Sequence, residues 1–241
     1  MSTLSNLRNE IIARVEQGKL PRLVLDLDST LFCVSPRTQF ILRQFPTTDL
    51  AKPFLTDHKE ALEIVLAIET TDRDWGIRSS LIRNHVKARL DFFEAVRKHW
   101  VQHFFSSEML VHDVPYPGAV EFVKDCHQLG AHVSYLTGRD VPRMGEGTLK
   151  QLKKHHLPLD KPEDLQMKPT SGIDDTNYKA DFFMKLEWDL SNTWFIDNEP
   201  VLLHAIEQRE PSLNLIYTDT VHSGRESPSP KWPRIGFEWR P

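Results

Sequence analysis

The chain of 241 residues has little cysteine and no long apolar run, and each shortage removes a class of protein. Cys33 and Cys126 are its only cysteines, far apart and without a His or Cys at ligand spacing, so neither a disulfide framework nor a zinc site is supported. A small buried residue is the reading preferred for Cys33 over a reactive thiol. No segment approaches the roughly 20 apolar residues of a membrane span, and MSTLSNLRNEIIARVEQGKL lacks a basic stretch leading into an apolar core. The expectation is a soluble, cytoplasmic protein with no membrane partner. An excess of one charge is missing as well. Thirty basic and 34 acidic side chains give a net charge of −4, too mild for bulk binding to nucleic acid or an anionic surface. Internal repeats and long low-complexity tracts are absent, and 39% hydrophobic residues suffice for a good core.

What is present starts at Leu23. LVLDLDSTLF reads as an apolar strand whose end presents Asp26 and Asp28, followed by Ser29 and Thr30. Ionised carboxylates are scarce in buried strands, because leaving water is costly without a partner or a metal. In an open parallel sheet the ligand crevice lies beyond the carboxyl ends of the strands, and residues two apart share a side. Two carboxylates a few ångströms apart repel by about 4 kcal/mol at an effective dielectric near 20. A hard cation such as Mg²⁺ answers that repulsion. Two Asp residues capping a turn are the plainer alternative for this stretch.

The surrounding pattern is α/β. A helix face (Leu7, Ile11, Ile12, Val15) precedes a break at Gly18 and Pro21 and the strand Leu23–Leu27. Pro117 and Gly118, the helical AVEFVKDCHQLG and the strand His132–Leu136 form a crossover unit of a parallel sheet. Helices over Thr148–His155, Ala180–Leu186 and Val201–Glu207 alternate with strands Asp164–Met167, Thr193–Ile196 and Leu213–Tyr217. Five short strands separated by helices predict a Rossmann-like, doubly wound parallel sheet. The tail from Val221, rich in Pro and Ser, is expected to wrap the surface irregularly.

Residues 35–111 break this rhythm. Ala61, Leu62, Val65, Leu66 and Ile68, then Ile82, Val86, Leu90, Phe93, Val101 and Phe104, recur at helical spacing, so this stretch is expected to be an all-helical insertion in a core of residues 1–34 and 112–241. Its Arg78, Arg83, Lys87, Arg89, Arg97 and Lys98 read as a solvated helix face, a minority of which would reach an anionic substrate. His85, His99 and His103 read as surface or boundary residues.

Three further stretches carry acids, hydroxyls or cations at strand or helix ends: YLTGRD, with Thr137, Gly138 and Arg139; NYKADFF, with Lys179; and WFIDNEP, with Asp197, Asn198 and Glu199. Thr137 and Gly138 offer a hydroxyl and backbone N–H groups for a phosphate oxygen. Arg139 is expected to point to solvent.

With LDLDST first, these four motifs in order resemble the haloacid dehalogenase superfamily, in its phosphatase branch. The resemblance covers Leu23 to about Pro200. It implies that Asp26 is a nucleophile and Asp28 a general acid and base, that Thr137, Gly138 and Lys179 bind phosphate, and that Mg²⁺ sits on Asp26, Asp197 and the backbone carbonyl of Asp28. Lys168 is the rival to Lys179. The family often has a second acid close to the fourth-motif Asp. Here Asn198 follows, and Glu199 either binds Mg²⁺, directly or through water, or caps the helix opened by Pro200. Ser29 and Thr30 would orient the loop, and the insertion would be a helical cap of the C1 type. The implied activity is Mg²⁺-dependent hydrolysis of a phosphorylated small molecule through an aspartyl phosphate. The alternatives are a phosphomutase, a nucleic-acid 3′-phosphatase suggested by the basic helix, and a non-catalytic phosphate-binding adaptor.

Overall fold

Leu23, Val24 and Leu25 are fully buried, and in the computed structural model, which describes residues 2–240, they form the centre of a six-stranded sheet. The elements in chain order are α1 (Thr3–Glu16), β1 (Arg22–Leu25), β2 (Phe32–Cys33), α2 (Ser35–Gln44), α3 (Lys59–Leu66), α4 (Gly76–Arg83), α5 (Leu90–Phe104), β3 (Val114–Pro115) and α6 (Ala119–Gln128). They continue with β4 (His132–Asp140), α7 (Val141–Lys154), β5 (Leu165–Lys168), α8 (Asp175–Met184), β6 (Thr193–Asp197), α9 (Pro200–Arg209), β7 (Asn214–Thr218) and β8 (Arg234–Ile235). The sheet order is β5-β4-β1-β6-β7-β8, and every pairing is parallel. Parallel neighbours need crossovers, which helices supply except between β7 and β8, joined by irregular chain. This is the Rossmann-like α/β arrangement that the sequence predicts.

Two compact units divide the chain. One holds the segments up to Phe32 and from Pro115 onward, and the other holds Cys33–Val114. The two crossing points, β2 and β3, make a separate two-stranded sheet. Among the described residues, no helix is long and apolar enough to cross a membrane.

In the first unit, Val24, Leu136, Phe195 and Leu215 from four strands pack with Phe183 of α8 and Leu202, Leu203 and Ile206 of α9. Helix starts follow local chemistry. Asp140 accepts from the Arg143 N–H to open α7, Asp174 accepts from Asn177 N–H to open α8, and Pro200 sits in the first turn of α9. Because Asp140 and Pro142 set its start, α7 begins at Val141, seven residues before the predicted Thr148.

The tail is irregular apart from β8, but it is anchored. Trp232 and Trp239 are buried, and Ile235 lies in β8, which adds a sixth strand beside β7. Trp239 N–H donates to Pro117 O (2.8 Å), and its backbone oxygen would clash with a Cβ at Gly118, whose φ is +81°. Only glycine fits there on both counts.

The second unit is helical, with 3-10 turns between its helices. Its core joins Leu42, Phe45, Phe54, Leu62, Val65, Phe92 and Val96, with Phe92 edge-on to Phe45 and Phe54 at 5.6 and 5.3 Å. The predicted second apolar face holds in part: Val86 and Phe104 are buried, whereas Ile82 and Leu90 are 64% and 74% exposed. The buried face of α5 is Phe92, Val96, His99 and Phe104, and the chain breaks between α4 and α5 where His85 takes φ +58°. The Asp74 carboxylate takes Arg83 from the expected solvated face, and His99 is buried, with Nε2 3.0 Å from Ile41 O.

Arg37 near the start of this unit and Asp113 at its end form a fully buried ion pair. The guanidinium Nε and Nη2 donate to the two Asp113 oxygens (2.8 and 3.0 Å), Nη1 donates to Phe104 O (3.1 Å), and the group lies 4.1 Å over the Phe104 ring. Arg37→Ala strands the Asp113 charge and should lower stability by about 3–5 kcal/mol in chemical denaturation, whereas Arg37→Met with Asp113→Leu should recover most of the loss. A single variant within about 1 kcal/mol of wild type would show that the pair does not hold this unit together.

Candidate active site

Three neighbouring parallel strands bring the acids together. Leu25 of β1 pairs with Tyr135 of β4 and Ile196 of β6, so Asp26 and Asp197 leave the sheet side by side and Thr137 lies at the same edge. The Asp26 N–H still donates to Ile196 O (3.0 Å). Lys179, from α8, reaches between the two carboxylates. Its Nζ lies 2.7 Å from Asp26 Oδ1 and 2.7 Å from Asp197 Oδ2, and all three side chains are buried. The second oxygen of Asp197 accepts from the Glu199 N–H (2.8 Å).

Two anions share one cation in a space almost without solvent. Burial pushes the Asp26 carboxyl up to about 7; the Lys179 ammonium opposes the rise, while Asp197 and Asp28 add to it. Asp197 is raised too, again chiefly by burial. Burial would lower Lys179, but the two carboxylates outweigh it and hold the ammonium above its ordinary range. The donor set is therefore short of positive charge. A hard cation bound through one or two carboxylates and otherwise by water or phosphate oxygens suits it. Among the described residues, no three His, Cys, Asp or Glu side chains are grouped as a metal cage.

The Asp28 carboxylate is engaged elsewhere. Arg139 does not point to solvent: it is buried, with Nε 3.2 Å from both Asp28 oxygens and Nη2 2.5 Å from Oδ1. Its Nη1 donates to Thr148 Oγ1 (3.2 Å) and Gln151 Oε1 (2.8 Å), both on α7. A planar guanidinium fits a carboxylate through two donors at once, and here it aims the acid from behind. Nothing in YLTGRD signals this, because the partner lies 111 residues away in sequence.

Thr137 Oγ1 accepts from the Arg139 N–H (3.3 Å). The ladder between β4 and β5 jumps from Thr137 to Asp140, a bulge that takes Gly138 and Arg139 out of register. A Cβ at Gly138 would stand 2.5 Å from Asp175 Oδ2, so glycine lets the α8 N-terminus approach. Lys168 is engaged elsewhere; its Nζ donates to Ile173 O (3.0 Å) and Asp175 Oδ1 (2.5 Å).

Beyond Asp197 the chain makes connections rather than a second acid pair. Thr30 Oγ1 donates to Asn198 Oδ1 (3.1 Å), and Asn198 Nδ2 donates to Val221 O (2.5 Å). Glu199 occupies the cap position of α9, but its carboxylate accepts from Ser223 N–H (3.0 Å) and Oγ–H (2.6 Å), not from the helix.

A parallel α/β sheet with a helical insertion after its first strand defines a class of fold. The solved structures name it: the chain has the haloacid dehalogenase-like fold. A phosphoglycolate phosphatase, so titled by prediction, from Haemophilus somnus aligns over 90% of this chain and 95% of its own, at 13% identity and a TM-score of 0.54. A Clostridium difficile protein with a provisional phosphatase name aligns over 90% and 94%, at 10% identity and 0.55. A haloacid dehalogenase-superfamily hydrolase of subfamily IA from Geobacter sulfurreducens aligns over 84% and 90%, at 12% identity and 0.51. At the level of sequence, no protein-family model and no curated protein matches the chain.

The charge imbalance has a testable consequence. Asp26 titrates near 7 when folded against about 4 unfolded, so its contribution to stability is complete below pH about 4 and is lost as pH rises through 7. In chelator-treated protein, Asp26→Asn should therefore raise Tm by a few degrees at pH 8 and by less at pH 5. A lower Tm for the variant at pH 8 would mean that the ion pair with Lys179 outweighs the cost of burying two carboxylates.

Proposed function

We propose that the protein is a Mg²⁺-dependent hydrolase that cleaves a phosphomonoester through an aspartyl phosphate on Asp26. The observation that carries this reading is the Lys179 ammonium between Asp26 and Asp197, 2.7 Å from each, at the carboxyl edge of a parallel sheet. The provisional phosphatase names of two structural neighbours point the same way.

In this reading Asp26, Asp197 and the Asp28 carbonyl would hold Mg²⁺, which fits a donor set short of positive charge. When bound, Mg²⁺ would supply charge that neutralises phosphate oxygens and favours the ionised Asp26. Asp26 attacks phosphorus in line, forming the carboxyl oxygen–phosphorus bond as the ester oxygen leaves. Asp28, entering the step as the neutral acid, gives that oxygen its proton, then takes one from the water that cleaves the acyl phosphate and returns Asp26 to its starting state. Lys179 balances charge on the transferring group and keeps the attacking oxygen in place. Thr137 and Gly138 cradle a phosphate oxygen at the bulge. Arg139 holds Asp28 in direction, and Thr30 with Asn198 fixes the loop that carries both acids. The substrate class is a phosphorylated small molecule, and phosphate release without an acceptor would separate a hydrolase from a phosphomutase.

Asp26→Asn should lower turnover of any phosphate monoester by at least about 10³-fold with the far-ultraviolet spectrum unchanged, and chelator should do the same to the wild type until Mg²⁺ is restored. Phosphate release by the Asn variant at the wild-type rate would remove the covalent route. Wild-type activity unaffected by chelator would remove the metal.

A further inference from the structure

The segment Asp219–Ser223, which follows β7, is tied to the acid-bearing loops at three points, and the reaction as proposed assigns it no part. Two ties are Val221 O to Asn198 Nδ2 and Ser223 to the Glu199 carboxylate. The third differs in kind. Thr220 Oγ1 donates to Ser29 O (2.5 Å), and Ser29, between Asp28 and Thr30, has φ +60°. A side chain other than glycine is strained in that left-handed region and stays there only where its surroundings over-determine it.

The constraints can be named. Ser29 N–H donates to Phe32 O (2.7 Å), while Leu31 N–H and Phe32 N–H both donate to Leu27 O (3.0 and 2.9 Å), which closes a tight turn directly after Asp28. Those bonds hold the turn from inside. The Ser29 carbonyl is held from outside, by a hydroxyl from a residue 191 positions further along the chain. Thr220 is itself anchored, through its own N–H to Thr218 O (2.9 Å) and through the Asp219 N–H to Ile235 O (2.7 Å) in β8.

We infer that Thr220 is a positioning residue for Asp28: its hydroxyl locks Ser29 in the left-handed conformation and so fixes the direction in which the acid leaves the backbone. Arg139 aims the same carboxylate from its side-chain end. The inference rests on the reading of Asp28 as the acid that protonates the leaving oxygen. An acid displaced by about 1 Å costs on the order of 10²-fold in rate, so a lock on this turn acts on catalysis without touching substrate.

The test is a cycle of Thr220→Val, Thr220→Ser, Ser29→Gly and the double variant Ser29→Gly with Thr220→Val, assayed with an alkyl phosphate and with 4-nitrophenyl phosphate. Thr220→Val should lower kcat on the alkyl ester by about tenfold or more with KM changed by less than about threefold, and the loss should shrink on the aryl ester, whose leaving group needs less proton. Thr220→Ser keeps the donor and should stay within about threefold of wild type. With glycine at 29 the left-handed turn is unstrained, so adding Thr220→Val to Ser29→Gly should cost less than about threefold. Losses that multiply in the double variant, or equal losses on both esters, would overturn the inference.

A second readout is independent of turnover. Amide hydrogen exchange at Ser29, Leu31 and Phe32 should speed up in Thr220→Val while the amides of β6 stay protected. Unchanged exchange at those three amides would overturn the lock even if the wild type proved to have no phosphatase activity, a result that would by itself defeat only the proposed function.

Discussion

Everything at this site depends on one buried ammonium that serves two buried carboxylates. Lys179 comes from a helix and the two acids from neighbouring strands, so the contact requires β1 and β6 to be paired in one register and α8 to be seated on the sheet. Shifting either strand by one residue would turn its acid to the opposite side of the sheet. The cost of burying two like charges is met only in part, and the raised carboxyls record the deficit. Such a deficit makes a poor structural ion pair, because an apolar trio of similar shape would be more stable. It makes sense as a receptor for further positive charge.

The same edge of the sheet handles its other charges differently. Asp28, two residues from Asp26, meets a full guanidinium instead of a shared ammonium, and that guanidinium is itself held by Thr148 and Gln151. Lys168 and Asp175 pair with each other beside Gly138 and so leave Lys179 as the cation between Asp26 and Asp197. Two acids in one motif thus have different surroundings.

What the sequence disclosed and what it hid divide along physical lines. The apolar runs at Leu23 and Thr193, each ending in acid, could be read because a strand buried on both faces has few other ways to be written. Lys179 was legible from its place in a helix leading to the next acidic strand. Arg139 was not, since a lone Arg after Thr-Gly looks the same whether it faces water or a carboxylate from a distant strand. His99 hid the buried face of α5, because counting it as polar moved the apparent stripe onto Leu90, Phe93 and Val101, two of which are exposed. Composition disclosed only part of the tail. Pro and Ser suggest irregular chain, whereas the anchors are Trp232 and Trp239, single aromatics with no periodicity to announce them.

The tail also explains why the fourth motif departs from the pattern of the family it resembles. Asn198 stands where a second acid is often found, and its amide can both accept from Thr30 and donate to Val221, which a carboxylate cannot do. Glu199 keeps a negative charge, but directs it to the Ser223 N–H and hydroxyl. The departure therefore makes a clamp between the first-motif loop and the segment after β7. That segment owes its own place to β8 and to the buried tryptophan beside it. The acidic edge of the sheet is in this way braced by chain from the far end of the sequence, and the residues that look most like spacer, between Thr218 and Trp232, join the two.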